Sequence, residues 1–276
     1  MKTVSTLFTL LSISHIAISS ADEYELYLLA GQSNMDGRGK VEKLTVEQRK
    51  PSENAIIFYQ QPKYECDQWE KLQPGFSIPP RHKTGVPSST FGPEIGFTAT
   101  IQKKLPDLKL ALIKGSKGGT SLRKDWKPGT KNMPATQGEC YLKFIRTINE
   151  ATEKLTQNGH TFKLRALLWH QGESDSKSSA ERHRERLTKL IARIREDTET
   201  PNLPVILGEV YDNGNRDNVR TAIQLIAKDD AFCGLVVSEG TSTWDEGTHF
   251  DAKSQLLLGG RFAEEAMKFY ALEKNK

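Results

Sequence analysis

The stretch YELYLLAGQSNMDGRG, residues 24–39, decides the fold. Its first seven residues, 24–30, are largely apolar and predict a short buried strand. The strand stops at Gly31, which permits a tight turn, and the polar run Gln32-Ser33-Asn34 follows at once. A serine at a strand-to-helix turn can expose its hydroxyl above a sheet. The helix N-terminus beside it supplies unpaired N–H groups for a developing oxyanion. Taken alone, such a serine is more often a plain helix cap.

Outward from this turn, apolar runs alternate with helical patterns. Residues 108–114 (LKLALIK), 164–169 (LRALLW), 204–209 (PVILGE) and 234–238 (GLVVS) predict four further strands. Residues 91–105, 141–158, 179–198, 219–227 and 254–270 predict helices, the second ending at Gly159. Short apolar strands separated by amphipathic helices imply a parallel sheet covered on both faces. The expectation is an α/β fold: a three-layer, doubly wound, flavodoxin-like parallel sheet of about five strands. Ligands then bind beyond the carboxyl ends of the strands. Residues 60–90 and 123–140 lack periodicity, as functional walls or insertions do.

The chain has 276 residues, 36% of them apolar and 27% charged, which suits a globular protein and not a disordered one. Residues 1–21 predict a signal peptide: Lys2, an apolar run over 4–18, then small residues at Ala17, Ser19 and Ala21. Residues 22–276 are expected to form one exported domain with no membrane span. Export permits a disulfide, and Cys66 with Cys140 is the preferred pair, leaving Cys233 as a buried thiol. The net charge of +4 is mild. Arg182, Arg184, Arg186, Lys189, Arg193 and Arg195 crowd one helix, but Glu181, Glu185 and Glu196 interleave them. That reads as a solvated face, and no nucleic-acid partner is expected.

Four loops carry residues suited to acyl transfer. Gly31-Gln32-Ser33-Asn34-Met35 follows the first strand; it is not the Gly-x-Ser-x-Gly elbow, because Met35 holds the last position. Gly118-Gly119-Thr120 follows the LALIK strand and lets backbone approach a ligand. Trp169-His170-Gln171-Gly172-Glu173-Ser174-Asp175 brings a side-chain amide that could face a reacting oxygen. His170, at an apolar strand end, reads as structural. Asp245-Glu246-Gly247-Thr248-His249 brings a carboxylate and an imidazole onto one turn, where the acid can fix the ring tautomer.

The blocks GQSNM, KGGTSL, WHQGESD and EGTHFD, in that order, resemble those of the SGNH/GDSL hydrolase superfamily. The closest resemblance is to its sialate O-acetylesterase-like branch, which includes the family 6 carbohydrate esterases, acetylxylan esterase-like. LLAGQSNMDGRG and FGPEIGF also resemble that branch, and the resemblance runs over residues 24–270. It implies Ser33 as nucleophile and His249 as base. It implies an oxyanion hole of the Ser33 N–H, the Gly119 N–H and the Gln171 side chain. The superfamily typically has Asp three residues before the His, where this chain has Glu246. Glu246 is therefore the first choice of acid, with Asp245 and Glu173 as alternatives.

The reading is a serine esterase that removes O-acetyl groups from a carbohydrate through an acetyl-serine intermediate, with no metal or other cofactor. Rival readings are a decayed carbohydrate-binding protein on the same fold, and a lipase or thioesterase of the same superfamily. Trp126, Trp69, Tyr64 and Trp244 could each stack on a sugar or simply be buried. The particular sugar and the oligomeric state are open.

Overall fold

The computed structural model describes residues 21–78 and 88–274. The signal-peptide reading falls almost wholly outside the described residues. Six parallel strands form the sheet: β1 (Glu23–Gly31), β2 (Ala55–Gln61), β3 (Leu110–Ser116), β4 (Thr161–His170), β5 (Val205–Gly208) and β6 (Cys233–Val236). Their order across the sheet is β6-β5-β4-β1-β3-β2. The five strands expected from the sequence keep the flavodoxin-like order, and β2 is added outside β3. Tyr64–Glu65 and Glu70–Lys71 then pair antiparallel with β2, so part of the stretch expected to be irregular is sheet.

Helices α1 (Ser33–Asp36), α2 (Glu94–Lys104), α3 (Glu139–Gln157), α4 (Ala180–Asp197), α5 (Asp217–Asp229) and α6 (Ala252–Lys274) complete the layers. Side chains alternate across β1. Tyr24, Leu26, Leu28 and Ala30 join the core beneath α3, α4 and α5, which holds Phe144, Leu187 and Ile223. Tyr27 and Leu29 join the core beneath α2 and α6, which holds Phe97 and Phe262. Both faces of the central strand are therefore apolar, as a two-sided parallel sheet requires.

Chain order reverses on either side of β1, so the crevice for a ligand opens at its carboxyl end. There Gly31 pairs with Ser116 of β3 and His170 of β4. A Cβ on Gly31 would lie 2.1 Å from the His170 carbonyl oxygen, and its φ is +148°. Only glycine permits this approach, and it seats Ser33 directly over the sheet edge.

The three cysteines are free and buried. The expected Cys66–Cys140 bridge is thus absent. The Tyr59 N–H donates to the Cys66 Sγ at 3.2 Å in the hairpin, while Cys140 starts α3 inside the core. Burial pushes these thiols up, to about 11 for Cys66 and about 12 for Cys140 and Cys233.

Candidate active site

Ser33 opens α1 and is 3% exposed. Its Oγ lies 3.1 Å from Nε2 of His249, which comes from the turn before α6, 216 residues later. The other ring nitrogen, Nδ1, is 2.5 Å from Oδ2 of Asp245. Glu246, the first choice from the sequence, is exposed instead. The turn explains the correction. Gly247 has φ +82°, and its N–H donates to the Asp245 carbonyl at 2.6 Å. The Asp245 Oδ1 then accepts from the N–H groups of Thr248 and His249 at 3.0 and 2.7 Å. This fixes the carboxylate with Oδ2 aimed at the ring. Burial by itself would raise the Asp245 carboxyl. The two backbone N–H groups and the imidazole outweigh burial and hold it below its ordinary value.

Glu173 is buried and does a different job from the one considered for it. Its Oε1 accepts from the Asn34 Nδ2 at 2.5 Å. That amide also donates to the Thr248 carbonyl at 2.9 Å, and the Asn34 Oδ1 accepts from the Phe250 N–H at 3.1 Å. Asn34 therefore grips the backbone on both sides of His249, and Glu173 orients Asn34. His170 is 1% exposed, sits edge-on to Phe250 and lies 3.9 Å from Glu173. Burial pushes its imidazole below the ordinary value. That fits the structural reading.

On the opposite side of Ser33, the Gly118–Thr120 loop comes close. A Cβ on Gly118 would stand 3.4 Å from the Ser33 Cβ. Gly119 has φ +71°, and a Cβ there would meet nothing within 4 Å, so the loop is open on that side. Gln171 is fully buried. Its amide nitrogen lies 2.7 Å from the Asp175 Oδ2 and 3.0 Å from the Thr120 carbonyl, with a longer 3.3 Å approach to the Gln32 Oε1. An amide has two N–H bonds, so the two short contacts account for both. Gln171 holds the glycine loop in place, and no N–H is left over for an oxyanion. Gln32 is the converse case. Its Oε1 accepts from Gly172 N–H and Ser174 N–H at 3.4 and 3.3 Å. These backbone donors settle which end of the amide is oxygen, and among the described residues its NH₂ has no acceptor.

A buried polar floor lies beneath α1. Lys114 on β3 and Glu94 on α2 are both 0% exposed and 2.8 Å apart. The ammonium also donates to the carbonyls of Asp36 and Phe76 at 2.8 and 2.7 Å. Asp36 accepts from Tyr59 OH and Arg38 at 2.6 Å each, and from Ser116 at 3.1 Å. All three Lys114 protons are used, so the charge is satisfied where no water could serve it. Sequence reasoning noted the surrounding motifs as similarity alone. A lysine inside an apolar strand, LALIK, was the signal that could have pointed to a buried acid.

Of the four aromatic residues considered for sugar stacking, Trp126 is buried, Trp69 packs on the core and Tyr64 stacks on Tyr59. Trp244 is 52% exposed and lies parallel to the His249 ring, 5.7 Å away between centroids.

The family model for "Carbohydrate esterase, sialic acid-specific acetylesterase" matches residues 23–268. A protein named "Probable carbohydrate esterase" from Arabidopsis thaliana is 25% identical over 257 residues, covering 87% of this chain and 89% of its own. The Arabidopsis thaliana protein's crystal structure aligns with TM-score 0.70 and 21% identity, over 90% of this chain and 98% of that one. The structure of NanS aligns with TM-score 0.64 and 16% identity, over 92% and 99% of the two chains. A carbohydrate acetylesterase from Xanthomonas citri aligns with TM-score 0.62 and 14% identity, over 90% of this chain and 56% of its own. These structures share the fold, and the family match covers nearly all of the described sheet and helices. The chain belongs to the carbohydrate esterase family of the sialic acid-specific acetylesterase type and is an ester-bond hydrolase.

Proposed function

We propose that this protein is a serine esterase that removes O-acetyl groups from a carbohydrate. The observation that carries this reading is the relay Ser33–His249–Asp245, with contacts of 3.1 and 2.5 Å. The Nδ1–H donates to Asp245, which leaves the Nε2 lone pair facing the Ser33 hydroxyl. As Ser33 Oγ attacks the acetyl carbonyl carbon, its proton passes to Nε2. The N–H groups of Ser33 and Gly119 hold the oxyanion, and the spare N–H of Gln32 is the third donor. Collapse breaks the bond to the sugar oxygen, which takes the proton back from Nε2. Water then repeats the sequence on the acetyl-serine and releases acetate. The exposed face of Trp244 beside His249 is a platform for the sugar ring. Gln171 acts by holding the Gly119 loop, and Asn34 by holding the His249 turn.

Acetate release from a panel of acetylated glycans, with Ser33→Ala as control, tests the reading. Turnover that vanishes in the variant while its fold is kept is expected. Binding without turnover in the wild type would instead support a carbohydrate-binding protein, and faster turnover on long acyl chains than on acetate would support a lipase. Export through a leader over residues 1–21 is part of the same proposal. Mass spectrometry of the protein recovered outside the cytoplasm, with a new N-terminus near residue 22, is its test.

A further inference from the structure

Beyond the Gly119 loop lies a cavity of about 570 Å³ lined by Arg123, Lys177, Arg182, Arg186 and the hydroxyls of Ser121 and Ser174. Its inner wall is shared with the site. The Ser174 N–H donates to Gln32, and Asp175, buried between the two spaces, accepts from Gln171 and from the Leu122 N–H at 2.8 Å. The Asp175 carboxylate is the one acid in the lining, and both donors reach its Oδ2, so four cations face a single carboxylate.

The four cations are unlike their neighbours on α4. Arg184 pairs with Asp229, Lys189 with Glu185, Arg193 with Asp197 and Arg195 with Asp230. Among the described residues, Arg123, Lys177, Arg182 and Arg186 have no acidic partner, and Arg186 is held only by the Ser178 hydroxyl at 3.3 Å. Arg182 is solvent-exposed, as a solvated face implies, but among the described residues the start of the helix lacks the ion pairs of the rest. Four cations set against one carboxylate leave the space net positive. The amino end of α4 adds its positive dipole to the same space, with Ser179 capping it.

We infer that this cavity is an anion subsite, and that the acetylated glycan carries a carboxylate or sulfate on a residue beyond the acetylated one. This rests on the esterase reading. The partition at Asp175 and Gln171 keeps the cations away from Ser33, so they read the polymer and not the reacting ester. Arginine forks suit either oxyanion group, and serine hydroxyls complete its hydrogen bonds.

The test compares kcat/KM for acetate release from three acetylated oligosaccharides of equal length: neutral, uronate-containing and sulfated. Each value is divided by that for 4-nitrophenyl acetate with the same protein. At low salt, the wild type is expected to favour at least one anionic substrate over the neutral one by about tenfold. The advantage should shrink in 0.5 M salt, about a 4 Å screening length, and disappear in Arg123→Ala/Arg182→Ala. Whichever acid shows it identifies the group bound. Equal use of all three oligosaccharides, or a preference that survives in the double variant, overturns the inference. Failure to hydrolyse even 4-nitrophenyl acetate brings down the esterase reading itself.

Discussion

At the rim of the cleft, Asp245 and His249 belong to one short turn, and their side chains are 25% and 22% exposed. Beneath it, Lys114, Glu94 and Asp36 are all 0% exposed and tie β3, α1 and α2 together. Both regions bring ionisable side chains to hydrogen-bond distance, but with different consequences. The rim uses its pair to set a tautomer that must change charge in each turnover under the proposed mechanism. The floor uses its pair to remove any freedom from the helix that presents Ser33. A change on the rim should therefore show in rate, and a change in the floor should show in stability.

The largest effect is expected from Asp245→Asn. The amide cannot accept the Nδ1–H in the required tautomer, and kcat should fall by about 10⁴, with thermal stability nearly unchanged. Glu246→Gln should leave kcat within about twofold, because its carboxylate is exposed and away from the ring. Steady-state acetate release on both variants checks this. The reverse pattern would give the acid role back to Glu246.

Lys114→Met probes the floor. It leaves the Glu94 carboxylate buried without its partner, which costs about 3–5 kcal/mol of folding free energy. Urea unfolding followed by circular dichroism measures it. Lys114→Met/Glu94→Gln should recover part of the loss, since the stranded charge is gone. A double variant no better than the single one would mean that the carbonyls of Asp36 and Phe76, rather than Glu94, are what need the lysine.

Next comes a contrast between two glutamines. Gln32→Ala removes a donor proposed for the oxyanion and should lower kcat by about 10²–10³ with KM little changed. Gln171→Ala frees the Thr120 carbonyl and Asp175 instead. It should lower stability as well as rate, because the Thr120 carbonyl loses its side-chain donor and Asp175 loses one of its two donors. Paired kinetics and unfolding curves separate these outcomes.

How much of this was legible depends on range. The five expected strands and the helices between them could be read because apolar spacing is local. Strand β2 escaped because its apolar run ends in Gln60 and Gln61. Their amides are satisfied by the folded hairpin and by α3: Gln61 donates to the Tyr59 hydroxyl at 2.9 Å, Gln60 donates to the Cys66 carbonyl at 2.7 Å, and Thr147 donates to the Gln60 Oε1 at 3.0 Å. Ser33 and His249 were legible through motif similarity. The choice between Asp245 and Glu246 was not, because one residue of register is decided by the Gly247 turn and by which N–H groups it presents. Nor was the division of cations on α4. Arg184 and Arg195 find Asp229 and Asp230, 45 and 35 residues away, and a charge count along the helix cannot separate them from Arg182.

The smallest effect contrasts the rim histidine with a buried one. His183, on the inner face of α4, is 0% exposed, and among the described residues neither ring nitrogen has a hydrogen-bond partner. Burial pushes it down from 6.5 to about 4, with Arg186 acting in the same direction and Asp175 against. Above pH 6.5 the ring is neutral in both folded and unfolded chains and contributes nothing to pH dependence. As pH falls below 6.5, the unfolded chain binds a proton that the folded one refuses, so stability declines. The decline levels off below about 4, where both states are protonated. At pH 5 the difference comes to about 2 kcal/mol, at about 1.4 kcal/mol per unit. His183→Leu should therefore flatten the fall in unfolding free energy between pH 6.5 and 4, whatever it does at pH 8. His170, also pushed down by burial, leaves a remaining slope of the same sign. If the His183→Leu curve runs parallel to that of the wild type, the buried ring is being protonated in place, and the contrast between a rim that takes protons and an interior that refuses them fails at this residue.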